Sequence, residues 1–130
     1  MAVIEPSTRP AVLAVSDAVA IVAFVTVGLL SHRHGLSATG YARDALPILG
    51  AWFGVALILR TYGLGGRRRL LATWVVGVPL GVLIRGLVLG RSLNGDELAF
   101  LGVALVFSLL FVLALRSALV TVLARTAAKP

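Results

Sequence analysis

The 130-residue sequence predicts an all-α membrane protein, a four-transmembrane-helix antiparallel bundle with both termini cytoplasmic. Hydrophobic residues make up 59% of the chain and charged residues only 13%, against roughly 45–50% and about 25% in soluble globular domains. Mean hydropathy is +1.03. The apolar residues fall into four runs of bilayer-crossing length, and none alternates with the period of two that marks a barrel strand. So little polar surface cannot cover such a chain in water, so lipid is its solvent.

The first helix is expected at about 11–31, where Asp17 is the one charge. Its apolar stretch exceeds the roughly 7–15 residues of a signal-peptide core and lacks a convincing basic start, which favours a permanent helix. The second, about 44–62, is free of charge from Ala45 to Leu59 and closes with Arg60, whose long stem can reach the interface. The third, about 70–90, is interrupted by Pro79 and Arg85. The fourth, about 97–122, carries no charge from Leu98 to Leu115. The connections at 31–43, 63–69 and 91–96 leave no room for a soluble domain, so residues 1–130 read as one integral membrane domain with successive helices as antiparallel neighbours.

Orientation follows from Lys and Arg, which are retained in the cytoplasm during insertion. With four crossings, Arg9, Arg60, Arg67, Arg68, Arg69, Arg116, Arg125 and Lys129 share one side, and Arg33, Arg43 and Arg91 lie on the other with or without Arg85. Both termini are therefore expected in the cytoplasm, with an inner or plasma membrane as the setting. The Arg67, Arg68, Arg69 run is first a topology signal. It also suits anionic lipid headgroups, which attract basic clusters by about 1 kcal/mol per residue.

In lipid, close backbone approach supplies much of the attraction between helices. Gly50 with Gly54, and Gly77 with Gly81, are spaced to lie on one helical face each, so the second and third helices are expected to form the central hairpin. Gly86 and Gly90 repeat the spacing. Pro79 removes a backbone donor between two of these glycines and predicts a local kink or opened carbonyl near mid-membrane, read as a packing adjustment with part of a ligand path as the alternative. Glycine-lined faces also suit a homo-oligomer or a membrane-protein partner.

Charges inside the spans need compensation, because a bare one at mid-bilayer costs roughly 2.5–3.5 kcal/mol or more. Asp17 lies about 9 Å along the first helix, level with the end that carries Arg116 and Arg60. It is expected to pair with one of them, or to be hydrated at the interface while both arginines snorkel. Arg85 has Asp44, Asp96 and Glu97 as candidate partners, or binds an anionic headgroup or substrate carboxylate, or, with fewest assumptions, snorkels. Trp74 and Tyr62 fall near the inner interface, where aromatic rings act as anchors. Trp52 is nearer mid-span and reads as packing, with stacking of an apolar ligand as the alternative. His32 and His34 lack a third ligand, so no metal is expected.

Asp17, His34, Gly35, Pro47, Gly50 and Trp52, followed by the string from Thr73 through Trp74, Gly77, Pro79 and Gly81 to Arg85, resemble the bacterial and archaeal membrane family catalogued as domain of unknown function 3054. The resemblance covers nearly all of Asp17 to Arg116. It implies four helices, transfers no activity, and draws attention to Asp17, Trp74 and Arg85.

No phosphate-cradling glycine loop, HExxH or GxSxG occurs. Ser16 beside Asp17 has no histidine base within its helix turn. The absence of cysteine removes thiolate chemistry. The basic residues are dispersed at membrane boundaries without aromatic interleaving, so no nucleic-acid partner is expected. The leading expectation is a non-enzymatic structural or accessory membrane protein without cofactors. The alternative is a small proton-coupled transporter or exporter in which Asp17 titrates and Arg85 or Trp52 lines the route. Small multidrug exporters offer a fold-level analogy, from which this chain departs by its aspartate and its strong charge bias.

Overall fold

A computed structural model of the chain describes residues 10–31, 36–64, 66–90 and 95–128. These residues form α1 (Pro10–Ser31), α2 (Ala38–Leu59), a single turn α3 (Thr61–Leu64), α4 (Arg67–Val88) and α5 (Gly95–Ala128). Four of the five, all but α3, are long and apolar enough to cross a membrane. Twenty-two residues at about 1.5 Å each span about 33 Å, and the 34 of α5 about 51 Å. His32, Arg33, His34, Gly35, Arg9, Arg91 and Lys129, and the side chains of Asp96 and Glu97, lie outside the described residues.

The helix ends correct the expected boundaries, most of all at α2. It starts at Ala38 rather than Asp44, because the Ser37 hydroxyl accepts the Gly40 N–H at 3.0 Å and caps the helix. Asp44 therefore sits inside the helix rather than bounding it. At the other end Arg60 adopts φ 54° and ψ 41°, and its N–H turns back to Leu57 at 3.3 Å. A left-handed residue stops a helix and is usually glycine. Here it throws the chain directly into α3 and sets Tyr62 facing the bundle. The fourth span runs beyond the expected residue 122, and α4 starts three residues before 70.

Two helix pairs form the body: α2 packs most closely with α4, and α1 with α5. The core between them holds Ile21 and Phe24 of α1, Ile48 and Trp52 of α2, Val78 and Val82 of α4, and Ala104 and Val112 of α5. Gly77 and Gly81 set the tightest contact. A Cβ on Gly81 would stand 2.7 Å from the Ile48 Cα, and one on Gly77 3.2 Å from the Trp52 Cα. Only hydrogen fits at Gly81. Gly50 and Gly54 are not part of this contact. They are exposed on the outer face of α2 with nothing near them, because Ile48, Ala51 and Trp52 form the face that meets α4. Large apolar side chains such as Leu57, Ile58, Leu87 and Val88 cover the outside, as a lipid-facing surface requires.

Candidate functional site: two buried ion pairs

Asp17 is completely buried in α1. Its two carboxylate oxygens accept from Nε and Nη2 of Arg116 in α5, at 2.9 and 2.7 Å. The Tyr62 hydroxyl of α3 donates to the same carboxylate at 2.5 Å, and the Trp52 indole N–H of α2 donates to the Tyr62 oxygen at 2.9 Å. A two-pronged guanidinium bond is among the strongest a carboxylate can make, and the phenol adds a third donor. The hydrated alternative for Asp17 is thereby removed. Of its two candidate arginines, Arg116 is the partner, while Arg60 is exposed at the end of α2.

Tyr62 lies outside the spans but turns inward. Burial, then the neighbouring Asp17 carboxylate, raises the pKa of its hydroxyl above the ordinary tyrosine value, so it stays a donor. Phe53 flanks its ring at 6.0 Å, and the Arg116 guanidinium stands 5.9 Å from the ring centre. Beside this cluster the buried Ser16 Oγ has no hydrogen-bond partner among the described residues.

The second pair lies toward the other end. Asp44 of α2 accepts from Arg85 Nε of α4 at 2.8 Å, and from Arg43 Nε and Nη2 at 2.9 and 3.0 Å. Arg85 is nearly buried, and its guanidinium lies 4.1 Å above the Phe100 ring of α5, a cation–π contact that is strong where water is excluded. Asp44 is thus one of the partners that the sequence offered Arg85.

Each ion pair joins the two helices of one close pair, and each reaches the other pair through an aromatic ring. Asp17 with Arg116 ties α1 to α5, and Tyr62 and Trp52 carry the link into α2. Asp44 with Arg85 ties α2 to α4, and Phe100 carries the link into α5. Asp17, Arg116 and Trp52 therefore meet, while Arg85 stands in the other cluster. Trp74 belongs to neither. It is half-buried and donates to the Leu105 carbonyl of α5 at 2.9 Å, which ties α4 to α5. Pro79 lies inside α4, which continues past it.

The sequence reading missed the inward role of Tyr62 and the ring of Phe100. For Tyr62 the signal was present but faint: a tyrosine close after the last apolar residue of a span, with a buried aspartate needing donors. A third polar layer, also missed, pairs the hydroxyls of Thr61 and Thr73 at 2.6 Å and sets the Arg69 guanidinium on the Leu59 carbonyl at 2.6 Å. Among the described residues no three His, Cys, Asp or Glu side chains cluster as metal ligands.

A family model described as a protein of unknown function, DUF3054, matches residues 14–119, a stretch that contains both ion pairs. No curated protein and no solved structure matches the chain.

Proposed function

The chain belongs to the DUF3054 family, and from that premise we propose that it is a non-enzymatic multi-pass protein of the prokaryotic inner or plasma membrane with a structural or accessory role. Its four crossing helices run as an antiparallel bundle with both termini in the cytoplasm. The asymmetric distribution of arginine supports that orientation. As α4 advances from Gly77 to Gly81, its contacts on α2 retreat from Trp52 to Ile48, which supports the antiparallel course.

One observation carries the structural reading: Asp17 is fully buried and both of its oxygens are held by donors. A carboxylate that couples proton movement to transport has to exchange its proton with water during each cycle. A carboxylate gripped by Arg116 and Tyr62 is suited to fastening helices.

The test is proton flux into proteoliposomes under an imposed pH gradient, read with an internal pH dye. The expected result is no flux above empty vesicles for either the native chain or Asp17→Asn. Flux that the native chain supports and Asp17→Asn abolishes would establish the transporter instead.

A further inference from the structure

Arg67, Arg68 and Arg69 form the first turn of α4, directly after Gly66 with its φ of 97°. With Leu59 and Ala72 they line an open groove of about 540 Å³. Arg69 is fixed across it by its bond to the Leu59 carbonyl, while Arg67 and Arg68 are exposed. Among the described residues no carboxylate is in ion-pair contact with any of the three. The first turn has no acidic residue. A helix start carries partial positive charge, so three cations are gathered where a helix by itself favours anions. Where a sequence works against its own local structure, another demand on the position outweighs it: here topology, and with it the chance to hold an anion.

We infer that this groove seats the phosphate of an anionic phospholipid headgroup. The guanidinium fork matches phosphate oxygens two at a time. The apolar Leu59 and Ala72 receive the glycerol and upper chain, which a free inorganic anion lacks. The proposal rests on the preceding reading only in placing this turn at the cytoplasmic surface.

The test is native mass spectrometry of the full chain in detergent, titrated with phosphatidylglycerol and with phosphatidylcholine of equal chain length. Phosphatidylglycerol is expected to bind more tightly. Arg67→Gln with Arg68→Gln is expected to weaken it by about 30-fold, about fivefold per arginine. Arg125→Gln, an exposed arginine in the last turn of α5, is expected to change binding less than about twofold, since it removes charge away from the groove. Arg69 is left intact because it braces the turn. Circular dichroism checks the fold, and Arg67→Lys with Arg68→Lys, which keeps charge but removes the fork, is expected to give an intermediate loss. Equal binding of the two lipids overturns the proposal, and so does an equal loss in Arg125→Gln. Displacement of the lipid by inorganic phosphate overturns the lipid source. Thiol labelling of Arg68→Cys from outside the cell would overturn the orientation while leaving the detergent result standing.

Discussion

The two buried aspartates face the same problem and meet it differently. Asp17 is wholly enclosed, and its guanidinium comes from Arg116, 99 residues along the chain. Asp44 is near the rim of the fold, shared between its neighbour Arg43 and the more distant Arg85. The Asp44 cluster has a spare donor close to water. The Asp17 cluster depends on one arginine across the molecule and a phenol from a single helical turn. Burial depth and redundancy are opposed, and the energetic cost of damage follows the first.

The largest expected effect is therefore at Arg116. Arg116→Gln leaves an enclosed carboxylate without its counter-charge and is expected to cost about 3–5 kcal/mol, read as a loss of thermal stability in detergent. Adding Asp17→Asn should recover part of that loss. Simple additivity of the two changes would mean that the side chains do not interact.

Tyr62→Phe comes next. It removes a donor from Asp17 and the acceptor of Trp52, at about 1.5–3 kcal/mol for a bond to a charged group. The same hydroxyl sets an alkaline limit. Its raised pKa means that the folded protein keeps a proton that the unfolded chain releases near pH 10, so stability present below about pH 10 falls as pH rises beyond it. In Tyr62→Phe that added fall should vanish, and an unchanged alkaline melting profile would contradict the inward placement of the phenol.

Between the clusters, Gly81→Ala forces a methyl toward the Ile48 backbone and is expected to cost about 1–3 kcal/mol. Gly50→Ala, on the open face, should stay within about 0.5 kcal/mol. Among the changes at the ion pairs the smallest effect is expected for Arg43→Gln, under about 1 kcal/mol, because that side chain is partly exposed and Arg85 remains on Asp44. A cost at Arg43 matching that at Arg116 would erase the distinction between the two aspartates.

The spans were legible because apolar composition and crossing length depend only on local sequence. The need for partners at Asp17 and Arg85 was legible too, since lipid penalises an isolated charge wherever it lies. Which partner wins was not. Arg116 and Arg60 were equivalent candidates until the left-handed turn at Arg60 sent that arginine outward and Tyr62 inward, and one residue's φ is not written in hydropathy. The start of α2 was misjudged for a related reason. Asp44 reads as a boundary when charges are taken to end spans, whereas compensation by Arg43 and Arg85 lets the helix carry it inside. Of the two glycine pairs expected to form the central hairpin, Gly77 with Gly81 meets a backbone and Gly50 with Gly54 does not, because spacing reports a shared face but not which way that face is turned.

The contact at Gly81 has a mechanical consequence. With a hydrogen atom filling the gap against Ile48, α2 and α4 are keyed together like a notched joint: turning α4 about its axis by one residue's step would drive a side chain such as Leu80 or Val82 into the opposing main chain. The alignment of the whole assembly is thus indexed from a single tooth near its middle, and the fasteners toward either end need only hold what that tooth has already lined up.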